Sequence, residues 1–422
     1  MMNPKTRSWQ AHGVRVLLAV AGAGAALTLT ACSSGHGKYT QEHLNAAHER
    51  MSVLRSGTEW DLARQAFLAG DLKKAEKKVD LSIAHNERVA KSHVLRGRIM
   101  LEQGRMDEAI TSLQTAIELQ PENVDAPYFL GVVFERLLDR ETALSHFTRA
   151  AELDPNDPQY GIAAAEMLID LGDPAGARAF LESRENEYKH APGVRQTLGH
   201  IAMIEGDTEL AMSYFNEAQL LAPEDDGILE DLVWAQVETE RYGEAEYNLS
   251  RLMEIEDHEE RRDLQHLHVR CLMELDQPVE ARALLDELVR GDAGAGDVQA
   301  WRALGFIAVE LNDQGRLREA SKRVVSLAPR HPDGHFLRAL WLYRMGRADA
   351  AYPAITEATR LDASNADYQL LTGLVLQKLG RQDDAARSFA QAIRIDPGNM
   401  LAREMADAPV SASVTSVPVD NE

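Results

Sequence analysis

The sequence is poor in cysteine and in aromatic residues, and it has fewer basic than acidic residues. Only two of its 422 residues are cysteines, and aromatic residues make up 6%. Two cysteines exclude a small fold held by several disulfides, so stability must come from packing. The chain has 67 acidic and 45 basic residues, with a formal net charge of −22. Because a polyanion binds a clustered basic surface and no long Lys or Arg run is present, we do not expect binding to nucleic acid.

Long apolar runs are also missing, except for one at residues 16–31. Lys5, Arg7 and Arg15 precede this run, and no acidic residue does, which leaves a charge of −25 on the rest of the chain. A spanning helix needs about 20 apolar residues. The run is short and glycine-rich, so it favours a secretory signal over a transmembrane anchor. Residues 1–31 are therefore predicted to be a signal peptide.

The end of this leader resembles the bacterial lipobox, on residues Leu29, Thr30, Ala31 and Cys32. The resemblance implies cleavage before Cys32 and lipidation of its thiol, which would anchor the chain to a membrane without spanning it. Ser33 follows the cysteine where aspartate often marks inner-membrane retention. We therefore expect a lipid-anchored protein of the cell envelope, on the outer membrane facing the periplasm if the host is Gram-negative.

Small residues recur with a constant period. Alanines 34 residues apart stand at Ala75, Ala109, Ala143, Ala177, Ala211 and Ala245, and the series continues at Ala281, Ala320, Ala351 and Ala385. An apolar residue follows each alanine by four positions, which places both on one helix face. A glycine precedes several of them by twelve positions, at Gly97, Gly131, Gly199 and Gly373, and Gly305 precedes Ala320 by fifteen. From Ala245 onwards the alanines are 36, 39, 31 and 34 residues apart. This irregular spacing predicts insertions around residues 255–320.

Turn residues separate two helices in each period. Glycines such as Gly104 and Gly206 stand between the helices, and prolines such as Pro155 and Pro223 follow the second helix. These residues resemble the tetratricopeptide repeat (TPR), with small residues at the helix contact and a proline closing the unit. The resemblance implies an all-α fold, a right-handed α-solenoid of about ten helix-turn-helix repeats. The large aromatic expected early in each first helix occurs only as Trp301.

The register also predicts the organisation of the chain. Residues 32–55 are read as a tether with room for an N-terminal cap helix, beginning with the small polar stretch SSGHGKYTQEH. The predicted parts that follow are TPR repeats 1–6 at 56–259, irregular repeats 7–8 at 260–331, repeats 9–10 at 332–399, a C-terminal cap at 400–408 and a disordered tail at 409–422. The segment DHEERRD and the loop 291–297 are predicted to form a hinge within the irregular repeats.

No pattern of a catalytic or metal site stands out. The loop 291–297, GDAGAGD, lacks a preceding strand and the spacing of a phosphate-binding turn, so it is read as a connector. His266 and His268 point to different sides of a helix and are expected to be solvated. Cys271 is expected to be an inert core residue. We therefore predict neither an enzyme nor a cofactor nor a bound metal.

The resemblance implies that first helices carry the partner-binding surface. The candidates there combine aromatic and cationic side chains, at Trp60, Arg64, Phe67, Lys91, Arg98 and Tyr128. Such a surface suits a protein or peptide segment that is hydrophobic and acidic. The alternative is that several of these residues pack between adjacent repeats. A second, more apolar group is expected to be covered by the C-terminal cap, and consists of Phe336, Leu340, Tyr343, Leu370 and Leu374.

The leading interpretation is a membrane-anchored scaffold or adaptor that binds protein partners. Its organisation is similar to that of TadD-like and pilotin-like TPR lipoproteins, which implies a role in pilus or secretion-system assembly. An adaptor that regulates exopolysaccharide or cell-wall enzymes is the alternative from another class. An enzyme is the remote third alternative, and it would require polar residues converging in a closed pocket.

Overall fold

The computed structural model of the protein describes residues 38–255 and 261–407, and every regular element within these residues is an α-helix. The leader, Cys32 and the predicted tail from Pro409 lie outside the described residues. The helices are α1 Lys38–Leu68, α2 Leu72–His85, α3 Ala90–Glu102, α4 Met106–Leu119, α5 Asp125–Arg136, α6 Arg140–Leu153, α7 Pro158–Asp170, α8 Pro174–Glu182, α9 Glu185–Tyr188, α10 Pro192–Glu205, α11 Thr208–Leu221, α12 Asp226–Glu238, α13 Tyr242–Met253, α14 Arg262–Glu274, α15 Pro278–Leu288, α16 Gly291–Ala295, α17 Val298–Glu310, α18 Gln314–Leu327, α19 Pro332–Arg344, α20 Ala348–Leu361, α21 Ala366–Lys378, α22 Gln382–Ile395 and α23 Met400–Asp407.

These helices form ten antiparallel hairpins, which confirms the all-α prediction and the number of repeats. Contacts between Cα atoms divide the chain into two compact units, with the boundary after Pro121. The first unit holds the hairpins α1–α2 and α3–α4. The second holds the other eight hairpins, the short helices α9 and α16, and the terminal helix α23. Helix α1 begins at Lys38, so it takes up part of the stretch that the sequence analysis assigned to the tether.

Each hairpin turns at one residue in the left-handed helical conformation. Six of these ten residues are glycines and four are not, namely Leu138, Glu240, Asp276 and Asn312. The backbone N–H of the next residue then donates to a carbonyl five positions earlier, as from Arg105 to Met100 at 2.9 Å. This bond satisfies a carbonyl at the end of the first helix, and the chain reverses within two or three residues. In five hairpins an aspartate directly after the turn caps the second helix, as Asp71 does by accepting from Lys74 N–H.

The turn residues correct the sequence register in the eighth repeat. In the other repeats the recurring alanine follows the left-handed residue by five positions, but five positions after Asn312 stands Leu317, which is fully buried. Gly305 precedes Leu317 by the usual twelve positions. The assignment of Ala320 and of an insertion between Gly305 and Ala320 was therefore wrong. A leucine fills the place of the alanine, and the extra residues lie in the connections before α14 and before α17.

A close helix approach at a glycine holds several of the hairpins together. In the hairpin α10–α11, a Cβ built on Gly199 would lie 2.4 Å from Cε1 of Phe215, and the Phe215 ring is 1% exposed. The rings of Phe147 and Phe389 pack against Gly131 and Gly373 in the same way. A glycine in the middle of a helix costs about 1 kcal/mol relative to alanine, so the gain must come from the ring packed against it.

Leu138→Gly is expected to stabilise the chain by about 0.5–1 kcal/mol, because the left-handed conformation is strained for leucine and free of strain for glycine. Leu138 has φ 61° and its side chain is 71% exposed, so little packing is lost. The guanidinium midpoint of unfolding should rise. Gly172→Leu, the reverse change in the next hairpin, should lower it, and an unchanged midpoint in both variants would contradict this account of the turns.

Candidate protein-binding surface

Four of the predicted binding residues form two cation–aromatic pairs between the first helices α1 and α3. The Lys91 ammonium lies 4.1 Å from the ring centroid of Trp60, and Trp60 Nε1–H donates to the Lys91 carbonyl oxygen at 3.2 Å. The Arg98 guanidinium lies 5.1 Å from the ring centroid of Phe67. Each pair joins residues 31 positions apart in sequence. The repeat register predicts that these residues lie on first helices, but it does not predict their pairing.

Arg64 lies on α1 between the two pairs, one turn from each. Its side chain is exposed, and so is that of Lys91, whereas Trp60 and Phe67 are half-buried. The structure therefore brings together Trp60, Arg64, Phe67, Lys91 and Arg98 as one surface of the first unit, called here the N-terminal surface. The two rings thus pack against cations of the adjacent repeat, and each ring remains partly exposed.

Tyr128, the sixth candidate, belongs to the second unit. Its hydroxyl accepts a hydrogen bond from Gln159 Nε2 at 2.7 Å. Its ring makes edge or tilted contacts with Phe129, Phe147 and Tyr160, at centroid distances between 5.2 and 5.6 Å. These contacts give Tyr128 a packing role within its own unit.

In the second unit, carboxylates bridge consecutive first helices, a feature that the sequence analysis missed. Asp231 on α12 accepts from Gln196 and His200 of α10, at 2.7 and 2.9 Å. Asp333 on α19 accepts from Arg302 Nε of α17 at 2.7 Å and from the Tyr368 hydroxyl of α21. In the sequence, each of these aspartates is 31 or 35 residues away from the residues that donate to it, and this spacing could have indicated the bridges.

Asp297 makes the third of these bridges. It caps α17 and accepts from Arg262 and from His266 Nε2 of α14, the latter at 2.8 Å. Its side chain is 10% exposed. Burial raises the pKa of this carboxyl, but the hydrogen bonds from Ala300 N–H, Arg262 and His266 outweigh that effect and hold the pKa below its ordinary value. Asp297 is therefore a structural carboxylate rather than a proton donor.

Two expectations about the irregular repeats need correction. His266 and His268 do face different neighbours, Asp297 and Glu246, but both side chains are only 15% exposed and neither is solvated. The loop 291–297 is more than a connector, because it contains α16 and provides the carboxylate of Asp297 and a carbonyl, that of Gly294, to which Trp301 Nε1–H donates at 3.1 Å.

Other groups in this region are structural. Cys271 is buried, as expected, and burial raises the pKa of its thiol to about 11, which keeps it protonated at neutral pH. Arg261 pairs with Glu230 of α12 at 2.7 Å. Residues 256–260 lie outside the described part, and the hinge remains a prediction. Among the described residues, no three His, Cys, Asp or Glu side chains come together as a metal site.

The apolar group near the C-terminus is covered from two directions. Leu370 and Leu374 share a cluster with Ala402 and Met405 of α23, in agreement with a capping role for that helix. Phe336 instead packs between Tyr368 and Phe306, at centroid distances of 5.0 and 6.3 Å. Leu340 and Tyr343 lie with it in a cluster formed by α19, α20 and α21.

Comparisons with known proteins agree with this geometry. Models of the tetratricopeptide repeat match residues 97–137, 158–183, 193–225 and 336–399. The chain contains tetratricopeptide repeats. The TPR hairpin is a protein-interaction scaffold, and the four matched segments fall in both compact units.

Two proteins with related sequences are longer than this chain. The TPR chain is 26% identical to the BBSome complex member BBS4 of Bos taurus over 236 residues, which are 56% of this chain and 44% of that protein. It is 27% identical to cellulose synthase 2 operon protein C of Komagataeibacter xylinus over 273 residues, 60% of this chain and 20% of that protein. The chain thus spans less than half the length of these relatives.

Solved structures that resemble the TPR chain do so at low sequence identity. The type IV pilus biogenesis factor PilW has a TM-score of 0.41 at 17% identity, covering 47% of this chain and 92% of PilW. MamA has a TM-score of 0.36 at 17% identity, covering 40% of this chain and 93% of MamA.

Proposed function

We propose that this TPR protein is a scaffold held at the cell envelope by lipid on Cys32, and that the N-terminal surface binds a hydrophobic and acidic segment of a partner protein. The observation that carries the proposal is the arrangement of Trp60/Lys91 and Phe67/Arg98 on either side of Arg64. The rings offer apolar area, and the cations beside them offer charge-assisted hydrogen bonds to carboxylates.

The cation–aromatic pairs also lower the entropic cost of binding. A free lysine or arginine side chain loses rotamer freedom when a partner immobilises it, at a cost of about 0.5–1.5 kcal/mol. Lys91 and Arg98 are already held against rings in the unbound protein, so less freedom remains to be lost. This preorganisation favours a surface that binds over one that is only solvated.

Two pathways are compatible with such a scaffold. The lipoprotein-like plan of the sequence favours pilus or secretion-system assembly. The sequence relation to cellulose synthase 2 operon protein C favours the alternative, an adaptor for exopolysaccharide enzymes. Genes for a secretin and a pilus ATPase beside the gene of this chain would support the first, and glycosyltransferase genes would support the second.

The membrane anchor is tested by Cys32→Ser. We expect this variant to move from the membrane fraction to the soluble fraction, because the diacylglyceryl group has no thiol to receive it. No helix in the described residues is long and apolar enough to cross a membrane. Membrane association of the variant through an uncleaved leader would overturn the lipoprotein assignment.

The binding surface is tested by affinity capture from detergent-solubilised envelope. Trp60→Ala and Arg98→Glu should each reduce the captured partner at least roughly tenfold, as expected when a buried contact worth more than 1.4 kcal/mol is lost. Arg149→Glu on α6 is the matched control, since it makes the same charge change at a side chain that is 54% exposed. An identical capture profile for all three variants would refute the assignment of this surface.

A further inference from the structure

A groove between α18 and α19 carries three cations that have no acidic partner in the described chain. Arg318 and Lys322 of α18 and Arg338 of α19 line it, together with Val325 and Trp341. Its volume is about 360 Å³, enough for more than one side chain. All three cations are exposed, while Val325 and Trp341 are partly exposed. No carboxylate belongs to this lining.

In the second hairpin of the chain, the arginine at the repeat position of Arg338 has hydrogen-bond acceptors within the protein. Arg96 stands thirteen positions before Ala109, as Arg338 stands thirteen before Ala351. Arg96 Nε donates to Asp80 Oδ1 at 3.1 Å, and Arg96 Nη1 donates to Ser112 Oγ at 2.7 Å. A third partner, Glu108, lies 3.6 Å away. Arg96 is thus held within its own fold.

The positions that hold these partners are occupied differently around Arg338. The residue that replaces Asp80 is Lys322, and the residues that replace Ser112 and Glu108 are Ala354 and Ala350. Around Arg338, methyl groups therefore stand where Arg96 has the acceptors Ser112 and Glu108, and a second cation stands where it has the carboxylate of Asp80. Like charges that face each other destabilise the fold unless an anion lies between them, so this reversal indicates a site whose counter-charge comes from outside.

The apolar wall adds a second requirement on the ligand. Trp341 lines the groove with the Arg318 guanidinium 5.5 Å from its ring centroid, and Val325 of α18 lines it as well. An inorganic anion would leave this apolar surface exposed to water. The ligand that fits has carboxylates for Arg338 and Lys322 and a large apolar side chain for Val325 and Trp341.

We propose that the groove between α18 and α19 docks an acidic segment of a partner protein that carries a bulky apolar residue between its carboxylates. A flat anionic membrane or a nucleic acid fits less well, because the site is recessed and the chain as a whole has a charge of −22. The proposal rests on the scaffold function, but it assigns a site in the second unit, apart from the N-terminal surface.

Fluorescence anisotropy with labelled peptides and the full chain tests this site. The probe is the peptide Gly-Asp-Glu-Leu-Phe-Glu-Asp-Gly, and two control peptides replace its acids by Asn and Gln or its Leu-Phe by Ala-Ala. We expect the probe to bind at least roughly tenfold more tightly than either control, and its affinity to fall with rising salt. Equal binding of the probe and its neutral control would overturn the proposal.

Variants locate the binding and separate this proposal from the proposed function. The variants are made in a chain that carries Trp60→Ala, because the N-terminal surface is proposed to bind the same kind of segment. In that chain, Lys322→Glu and Arg338→Glu should each weaken probe binding roughly tenfold or more, and Arg149→Glu should not change it. The neutral changes Lys322→Gln and Arg338→Gln serve if the charge reversals impair folding. Retained probe affinity in all these variants refutes the groove. Loss of probe binding in Trp60→Ala or Arg98→Glu instead would also refute it, while supporting the N-terminal surface.

A second measurement addresses the membrane as the occupant. Sedimentation with phosphatidylglycerol vesicles should give the same bound fraction for Arg338→Glu and for the unchanged chain. Vesicle binding that falls in Arg338→Glu, combined with no preference for the acidic peptide, would assign the groove to an anionic lipid surface and overturn the proposal.

Discussion

Asp333→Ala is expected to destabilise the second unit by about 2–4 kcal/mol, one of the two largest effects of a single substitution that the structure predicts. The Asp333 side chain is 10% exposed and its carboxylate joins three consecutive first helices, since it accepts from Arg302 of α17 and from Tyr368 of α21. Its removal leaves a guanidinium and a buried hydroxyl without their acceptor. Because Arg302 is still 35% exposed, water will satisfy part of its charge, which sets the lower limit of the range.

Tyr368→Phe should cost only about 1 kcal/mol, because it removes one hydrogen bond and keeps the ring that packs on Phe336. Burial and the bond to Asp333 raise the pKa of the Tyr368 hydroxyl, so it remains a donor at neutral pH. Asp349→Ala, an exposed aspartate in the first turn of α20, is the matched control. Equal destabilisation by Asp333→Ala and Asp349→Ala in guanidinium unfolding would show that the bridge contributes nothing.

Gly199→Ala and Gly57→Ala should change stability in opposite directions. The added methyl at Gly199 would lie 2.4 Å from the Phe215 ring, and overpacking of a buried ring costs about 1–3 kcal/mol. At Gly57, in the middle of α1, nothing lies within 4 Å of the added methyl. There the change should stabilise by up to about 1 kcal/mol, because alanine has the higher helix propensity.

A double substitution tests whether the clash with the Phe215 ring causes the stability loss in Gly199→Ala. Phe215→Leu makes room beside Gly199, so the loss in Gly199→Ala/Phe215→Leu should be smaller than the sum of the two single losses. The midpoints of thermal unfolding, followed by circular dichroism, are sufficient here, because the test compares only the signs and relative sizes of the stability changes. Additive losses, or a stabilising Gly199→Ala, would contradict the helix contact that defines the repeat.

Much of the fold could be predicted because one contact recurs. The spacing of alanines and glycines reports the place where two helices touch, and that place must stay small in each hairpin. Prediction failed at Ala320, because Leu317 takes the alanine's place and another alanine lies three residues beyond it. The four non-glycine turn residues could not be predicted either, since a leucine such as Leu138 gives no local sign of a left-handed conformation.

The binding surface was predicted as a set of residues and not as a set of contacts. The periodicity placed Trp60 and Lys91 on first helices, but the cation–aromatic pair depends on how neighbouring helices are rotated. His266 was expected in solvent because it and His268 point to different sides of a helix. Its partner Asp297 stands 31 residues away in a glycine-rich stretch, where the sequence gives no sign of the contact. The groove at Arg338 could not be predicted, because the equivalence of Lys322 to Asp80 depends on Leu317 taking the place of the alanine in the eighth repeat.

Site-specific photo-crosslinking in living cells tests most directly the claim that this TPR chain is a protein-binding scaffold. A photoreactive amino acid at position 64 replaces the exposed Arg64 of the N-terminal surface, and the same group at position 114 replaces Gln114, exposed on the second helix α4. We predict a discrete protein adduct from position 64 that is lost when Arg98→Glu is added, and none from position 114. No adduct at position 64, or equal adducts from both positions, would contradict the account.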